Sequence, residues 1–192
     1  VTEMNRVCDI KCEILTTERL VLRQPHRDDA EDMALLANNY EIAKNLARMP
    51  YPYFDADARD FLEKISGDAE FGCTFAITKS DNGRFIGVCG LHDASGVHEH
   101  PYMGYWLGEP YWGQGYATEA ARALIDLYFK TTSRDTMMAS CMSNNEASRR
   151  VIEKCGGSIW KSEDVYSKTL GKNQMIDKFR ISRSNWMKAL AA

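Results

Sequence analysis

Residues 103–121 read MGYWLGEPYWGQGYATEAA, and no other stretch constrains the fold as strongly. Met103–Leu107 is apolar and aromatic, the composition of a buried strand. Gly108–Tyr116 carries Gly108, Gly113, Gly115 and Pro110, which together make a turn. From Ala117 the residues are mostly strong helix formers. Strand, glycine-rich turn and helix start, in that order, aim several free backbone N–H groups at one point. Glycine lets the backbone approach a ligand closely. The first helical turn adds unpaired N–H groups at the positive end of its dipole. A phosphate group suits such a place.

The spacing narrows the choice of phosphate compound. GxxxxGK[ST], the nucleoside-triphosphate loop, is absent. Gly113-Gln114-Gly115 is followed by Thr118 where the dinucleotide GxGxxG turn needs its third glycine. That turn also follows the first strand of its sheet, whereas more than a hundred residues precede this one. The stretch resembles motif A of the Gcn5-related N-acetyltransferases (GNAT), Q/R-x-x-G-x-G/A, over Trp112–Ala117, with Trp112 standing where Gln or Arg is usual. The wider string is similar to the branch that acetylates ribosomal-protein N-termini, and to its small-molecule relatives. Asn145-Glu146-Ala147-Ser148 through Glu153-Lys154-Cys155-Gly156-Gly157 resembles the same family's N-x-x-S-x-x-x-x-E-K-x-G-F signature, with Gly157 in place of Phe.

The resemblance implies an α/β, single-domain acetyltransferase fold. Its mixed central sheet would splay between the fourth and fifth strands and carry flanking helices. It implies acetyl-CoA or CoA as co-substrate, no metal, and direct transfer of acetyl to an amine acceptor, a protein N-terminus or a small molecule. Carried over residue by residue, CoA would be held by Trp106, Leu107, Gln114, Gly115, Tyr116, Ala117, Thr118, Asn145 and Ser148. Asn145 would meet the pantetheine arm, Ser148 would protonate the departing thiolate, and a backbone N–H near Trp106–Leu107 would polarise the thioester. On residue chemistry alone Asn145 suits a helix cap as well. Arg149, Arg150 and Lys154 read as a solvated helix face rather than as phosphate ligands. Relatives often carry Glu two residues before the glycine of the G-Y-W-L strand; here that position is Tyr102. Candidate bases are therefore His92 and Asp93, which end one strand, and Glu99 and His100, which precede the next, any of them working through water; Tyr102 is a poor base that can donate a proton or order a water. Tyr40, Met49, Tyr51, Tyr53, Trp160 and Tyr166 fall in segments that flank the acceptor groove of relatives. A CoA-binding module of the same fold without catalysis is the competing reading.

The chain in order supports one domain. Thr17–Arg23 alternates as a first strand, and Asp28 or Asp29 caps a helix over Met33–Ala37. A short helix follows over Glu41–Leu46, then an aromatic, proline-broken loop to Phe54, and a helix capped by Asp55 or Asp57. Strands over 73–78 and 84–91 flank the hairpin turn Ser80-Asp81-Asn82-Gly83. After the central helix, roughly 117–130, come a strand over 136–142, a helix over 145–155, and strands near 158–162 and 175–182, with Gly171 and Asn173 in the turn between them. The domain spans 15–190, and residues 1–14 form a loose arm.

Composition excludes some partners. The formal net charge is −3 with no long basic run, so nucleic acid has little support. No apolar run reaches membrane-spanning length, and the polar start is not a signal peptide. The six cysteines, residues 8, 12, 73, 89, 141 and 155, include no C-x-x-C pair. Cys73, Cys89 and Cys141 read as small core residues, in keeping with a reducing cytoplasm. Cys141 and Cys155 have no histidine motif beside them and are not expected as nucleophiles. A monomer or homodimer is expected.

Overall fold

A computed structural model describes residues 10, 12–46, 48–67, 72–92, 100–167 and 169–190. The elements run β1 (Leu15–Thr16), β2 (Leu20–Arg23), α1 (Ala30–Ala37), α2 (Tyr40–Ala43), α3 (Asp55–Gly67), β3 (Cys73–Lys79), β4 (Phe85–His92), β5 (Tyr102–Leu107), α4 (Tyr116–Thr131), β6 (Thr136–Met142), α5 (Glu146–Lys154), β7 (Gly157–Ser167), β8 (Lys172–Ser182) and α6 (Arg183–Leu190). The strands form one mixed sheet in the order β1-β2-β3-β4-β5-β6-β8-β7. Every pairing is antiparallel except β5 with β6.

Side chains alternate between the two faces of a strand, and that alternation divides the core. Phe75, Cys89, Leu91, Met103, Leu107, Ala139, Phe179 and Ile181 pack with Leu124, Tyr128 and Ile152 beneath α4 and α5. Ala76, Val88 and the partly buried Trp106 pack on the other face with Met33, Ala58 and Leu62 of α1 and α3.

The splay is present. β5 and β6 pair only at Tyr102↔Met138 and Met103↔Ala139. Beyond that vertex β5 stays bonded to β4 as far as Leu107, and β6 to β8 as far as Met142. The sheet is thus two coherent halves hinged at one end and open at the other. The opening lies between the fifth and sixth strands because the expected first strand is a small hairpin. Thr17 N–H donates to the Leu20 carbonyl at 2.9 Å, so Leu15–Thr16 folds back on β2 and adds an edge strand.

Other differences are local. The turn before α1 is capped by His26, whose ring accepts from Asp28 N–H, while Asp29 accepts from His26 N–H and pairs with Arg23 at 2.6 Å. Asp57, rather than Asp55, closes the start of α3, by accepting from Phe54 N–H at 2.8 Å. β7 and β8 are longer than expected and place Asn173 inside a strand, leaving Gly171 at the turn with φ 62°. The helix α6 follows β8 directly and is tied down by Arg183, whose guanidinium donates to the carbonyls of Phe129, Thr132 and Arg134.

Cys73 is buried as expected but is not a free core thiol. Its sulfur is joined to Cys12 in a disulfide, with a Cα–Cα distance of 5.6 Å. Of the stretch expected as an arm, residues 1–9 and 11 lie outside the described residues; Ile10 is buried in the core beneath α4.

Candidate functional site

The opening of the sheet exposes backbone. Met138 N–H donates to the Pro101 carbonyl, and Gly108 N–H donates to Ile86 on the β4 side, both at 2.9 Å. Successive strand residues turn their backbone groups to alternate sides. Tyr105 and Leu107 therefore present N–H toward the opening, while Trp106 presents its own to β4. Within the Trp106–Leu107 region, the available donor is that of Leu107. The Leu107 carbonyl is engaged, since Trp112 Nε1 donates to it at 2.7 Å. Trp112, standing at the motif position usually held by Gln or Arg, thus folds the loop onto the end of β5.

Next comes the glycine loop. A short 3-10 turn over Glu109–Tyr111 leads to Gly113 and Gly115, at φ 71° and 85°, a region that side-chain-bearing residues rarely adopt. Gly115 is the N-cap of α4 and supplies no side-chain cap. The first-turn N–H groups of Tyr116, Ala117 and Thr118 therefore stand open at the positive end of a 16-residue helix. A Cβ at Gly113 would meet nothing within 4 Å, and one at Gly115 only Arg19 Nη2 at 3.3 Å, so the space over the loop is clear. Gln114 turns its side-chain amide inward to the Pro110 carbonyl at 2.8 Å and contributes backbone to the cradle.

Arg19, from the turn before β2, is a site residue that the sequence reading missed. Its guanidinium donates to the Gln114 carbonyl at 2.9 Å, pairs with Glu119 at 2.7 Å and lies 4.6 Å from the centre of the Tyr116 ring. Glu119 also accepts from Thr17 Oγ1 and from Arg19 N–H. Burial works against the Glu119 charge, but these hydrogen bonds and the arginine hold its carboxyl below the usual range. A groove of about 1070 Å³ runs along this side of α4, lined by Gly115 and Thr118, by the cations Arg19, Arg122, Lys130 and Lys154, and by the carboxylates of Glu18, Glu119 and Asp126. Open helix N–H groups and a clear glycine loop at the head of this groove can accept an anionic group. Nothing in the spacing of Thr17-Glu18-Arg19, which reads as plain strand alternation, marks this clamp.

On the α4/α5 face, Asn145 Oδ1 accepts from Ser148 N–H at 3.1 Å, so Asn145 does cap α5. Ser148 Oγ lies 2.9 Å from the Tyr105 hydroxyl. Burial pushes the Tyr105 phenol well above its ordinary value, only partly offset by the Ser148 bond, so it stays protonated and able to donate. Tyr105 is the second residue the sequence reading missed. Its alternation on β5 puts it on the face opposite Tyr102 and Gly104, but only the fold brings it to Ser148. Arg149 pairs with the buried Asp177 of β8 and is an anchor for α5 rather than a solvated residue. Arg150 pairs with exposed Glu146 at 3.3 Å. Burial pushes the thiols of Cys141 and Cys155 up to about 11, which keeps them neutral and poorly nucleophilic.

His92 and Tyr102 are cross-strand partners on the opposite face. The imidazole covers Gly104, where a Cβ would stand 3.3 Å from His92 Nε2. The Tyr102 hydroxyl accepts a hydrogen bond from Lys178, whose ammonium lies 5.6 Å from the ring centre. The sequence-derived catalytic residues therefore do not form one cluster: Ser148 lies on one side of the sheet, His92 and Tyr102 on the other, with the opening between them. His100 is described, with a buried Nδ1 that has no hydrogen-bond partner among the described residues; Asp93 and Glu99 lie outside them. Tyr40 and Tyr51 meet edge to face at 5.4 Å, and Tyr53 is core beneath α1. Trp160 and Tyr166 are exposed on β7, and Met49 holds the β7–β8 turn through Thr169 Oγ1 at 2.7 Å. Among the described residues, no three His, Cys, Asp or Glu side chains group as metal ligands, and no helix is long and apolar enough to cross a membrane.

Known proteins share this architecture. The acetyltransferase (GNAT) domain family matches residues 19–158. The uncharacterized N-acetyltransferase p20 of Bacillus licheniformis is 27% identical over 172 residues, covering 88% of this chain and 95% of its own. The ribosomal-protein-serine acetyltransferase of Escherichia coli is 26% identical over 111 residues, 55% of this chain and 61% of its own. The crystal structure of a GNAT-family acetyltransferase from Bacillus anthracis superposes with a TM-score of 0.77 at 22% identity, covering 90% of this chain and 99% of that one. By the family match, the split sheet and the glycine cradle together, the chain belongs to the acetyltransferase (GNAT) family, whose members transfer an acetyl group from acetyl-CoA.

Proposed function

We propose that residues 15–190 form a catalytic unit that passes the acetyl group of acetyl-CoA to a primary amine, of a protein N-terminus or a small molecule, by direct attack with both substrates held in the β5–β6 opening. The observation that carries this reading is the two-sided opening itself. It adjoins a backbone phosphate cradle at one end, a Ser148–Tyr105 hydroxyl pair on one face and the His92–Tyr102 pair on the other.

Each residue then has a task. The N–H groups of Gly115, Tyr116, Ala117 and Thr118 take the pyrophosphate, and the Asn145 amide faces the pantetheine arm. Holding both reactants replaces a bimolecular encounter, an effect of roughly 7–11 kcal/mol. The Leu107 N–H donates to the thioester oxygen as it gains charge, an interaction of about 3 kcal/mol where one such donor has been removed in other enzymes. His92 accepts the proton of the attacking ammonium, directly or through a water that Tyr102 orders; histidine is the side chain whose ordinary titration lies near neutrality. When the carbon–sulfur bond breaks, Ser148 donates its proton to the thiolate and Tyr105 replaces it. A cytoplasmic site of action is part of the same proposal, and the Cys12–Cys73 disulfide is the observation against it.

The experiment is thiol release from acetyl-CoA with and without a panel of amines, alongside thermal melts with CoA and with NAD. A ligand at about a hundred times its Kd adds about 2.7 kcal/mol. Stabilisation by CoA and amine-dependent thiol release are expected. Stabilisation by CoA with only slow hydrolysis, indifferent to every amine, leaves a CoA-binding module; a melt shifted by NAD alone overturns the site.

A further inference from the structure

The His92–Tyr102 side of the opening is walled by β8 and β7, and that wall is basic. Lys178 and Arg180 alternate onto this face of β8, about 7 Å apart along the strand, opposite Ser140 and Met138 of β6. Arg180 is level with the vertex, opposite Met138, and Lys178 is one step into the opening, opposite Ser140. The Lys178 side chain is only 13% exposed, it donates to the Tyr102 hydroxyl, and its carboxylate partner is Glu163. Burial works against its charge, but Glu163 and Tyr102 hold the ammonium above its ordinary value, so it is a fixed cation and not a base. Glu163 is shared with Lys161 at 2.7 Å. The Arg180 guanidinium lies 4.2 Å from the centre of the Trp160 ring, and among the described residues no carboxylate pairs with it. Among the described residues, Lys161 and Lys178 thus share one carboxylate, and Arg180 beside them lies against an aromatic ring with no hydrogen bond or ion pair to its guanidinium.

We infer that the acceptor amine carries an anionic group, a carboxylate or a phosphate ester, which Arg180 and Lys178 hold while the amine reaches His92. This deepens the proposed acetyl transfer and rests on it. An arginine fork matches the oxygens of either anion. A polycationic amine would meet like charge there, which costs affinity. Gly104, which has no side chain, is covered among the described residues only by the His92 ring, so the reacting nitrogen has a place next to the imidazole.

The test is steady-state acetylation by the whole chain of matched acceptors: amino acids against their amides, aminoalkyl phosphates against the corresponding amino alcohols, and a polyamine. The expected result is a kcat/KM at least tenfold higher for one or both anionic series than for their neutral partners, with the polyamine lowest. Arg180→Ala should reduce that preference at least tenfold, Arg180→Lys should restore part of it, and Arg180→Glu should invert it. The two anionic series tell carboxylate from phosphate. Equal or better turnover of neutral or polyamine acceptors, or a preference unmoved by Arg180→Glu in a variant with parental melting, overturns the inference and leaves acetyl transfer standing. Failure of every amine to accelerate thiol release overturns both.

Discussion

The two faces of the open sheet are built by different means. On the α4/α5 face the chain presents backbone: helix N–H groups set by Gly115, a cap from Asn145, and two hydroxyls. On the opposite face it presents charged and aromatic side chains drawn from strands up to 88 residues apart, such as His92 and Arg180. A thioester donor is the same molecule in every turnover and can be held by geometry that a loop and a helix start define. In the proposed reaction an acceptor must be chosen by its chemistry, and the side chains of that face are the proposed means of choosing it.

Substitutions separate the two faces, and the largest effect is expected at the cradle. Gly115→Val places a β-branched residue at φ 85°, a strain of about 1–3 kcal/mol, and removes the N–H arrangement itself. Calorimetry should find no CoA binding at millimolar ligand while circular dichroism shows a folded chain; ordinary CoA affinity would mean that the loop is not the cradle.

Next in size is the strut behind the α5 side. Arg149→Met leaves buried Asp177 without its cation, and stranding such a charge costs about 3–5 kcal/mol. Burial alone would raise the Asp177 carboxyl; the Ser162 hydroxyl and Arg149 bring it below its ordinary value. A depressed carboxyl stabilises the fold above its unfolded value, near 3.9, and loses that contribution as pH falls through the folded one. Chemical denaturation should therefore show a gap between parent and variant that is full at pH 7 and narrows below about pH 4. A gap independent of pH would assign the loss to packing.

Ser148→Ala comes third, with turnover lower by roughly 10²-fold, the usual size for an acid–base group, and CoA affinity near parental. Tyr102→Phe should lower turnover only modestly, because the phenylalanine keeps a ring beside Lys178 and His92 remains. An unaltered rate for Ser148→Ala, or near-total loss for Tyr102→Phe, would put the proton chemistry on one face and erase the division. The smallest effect belongs to Arg19→Ala. Its pair with Glu119 is half-exposed, and such pairs contribute up to about 1 kcal/mol, so the CoA Kd should rise about fivefold or less, with turnover at saturating CoA retained.

The same contrast explains what the sequence discloses. Met103–Ala121 is a local program of strand, turn and helix start, and it reads directly into β5, the loop and α4. The splay follows from the family resemblance, displaced by one strand because Thr17 closes a hairpin that no periodicity over seven residues can mark. Asn145 shows the limit of such reading, since the residue that the resemblance assigns to a pantetheine arm is also the residue that caps α5. Tyr105, Arg19 and Arg149 were out of reach for another reason. Their partners Ser148, Glu119 and Asp177 lie 43, 100 and 28 residues away, and only the folded register brings them together.

The division between the faces is tested most directly by a crystal structure with a conjugate in which CoA sulfur is linked to an amine bearing a carboxylate. The account predicts phosphates on the N–H groups of Gly115–Thr118, the sulfur between β5 and β6 within hydrogen-bond reach of Ser148 Oγ, and the carboxylate emerging on the far face against Arg180 and Lys178. A conjugate lying wholly on the α4/α5 face, with the opening closed and Arg180 untouched, would contradict it.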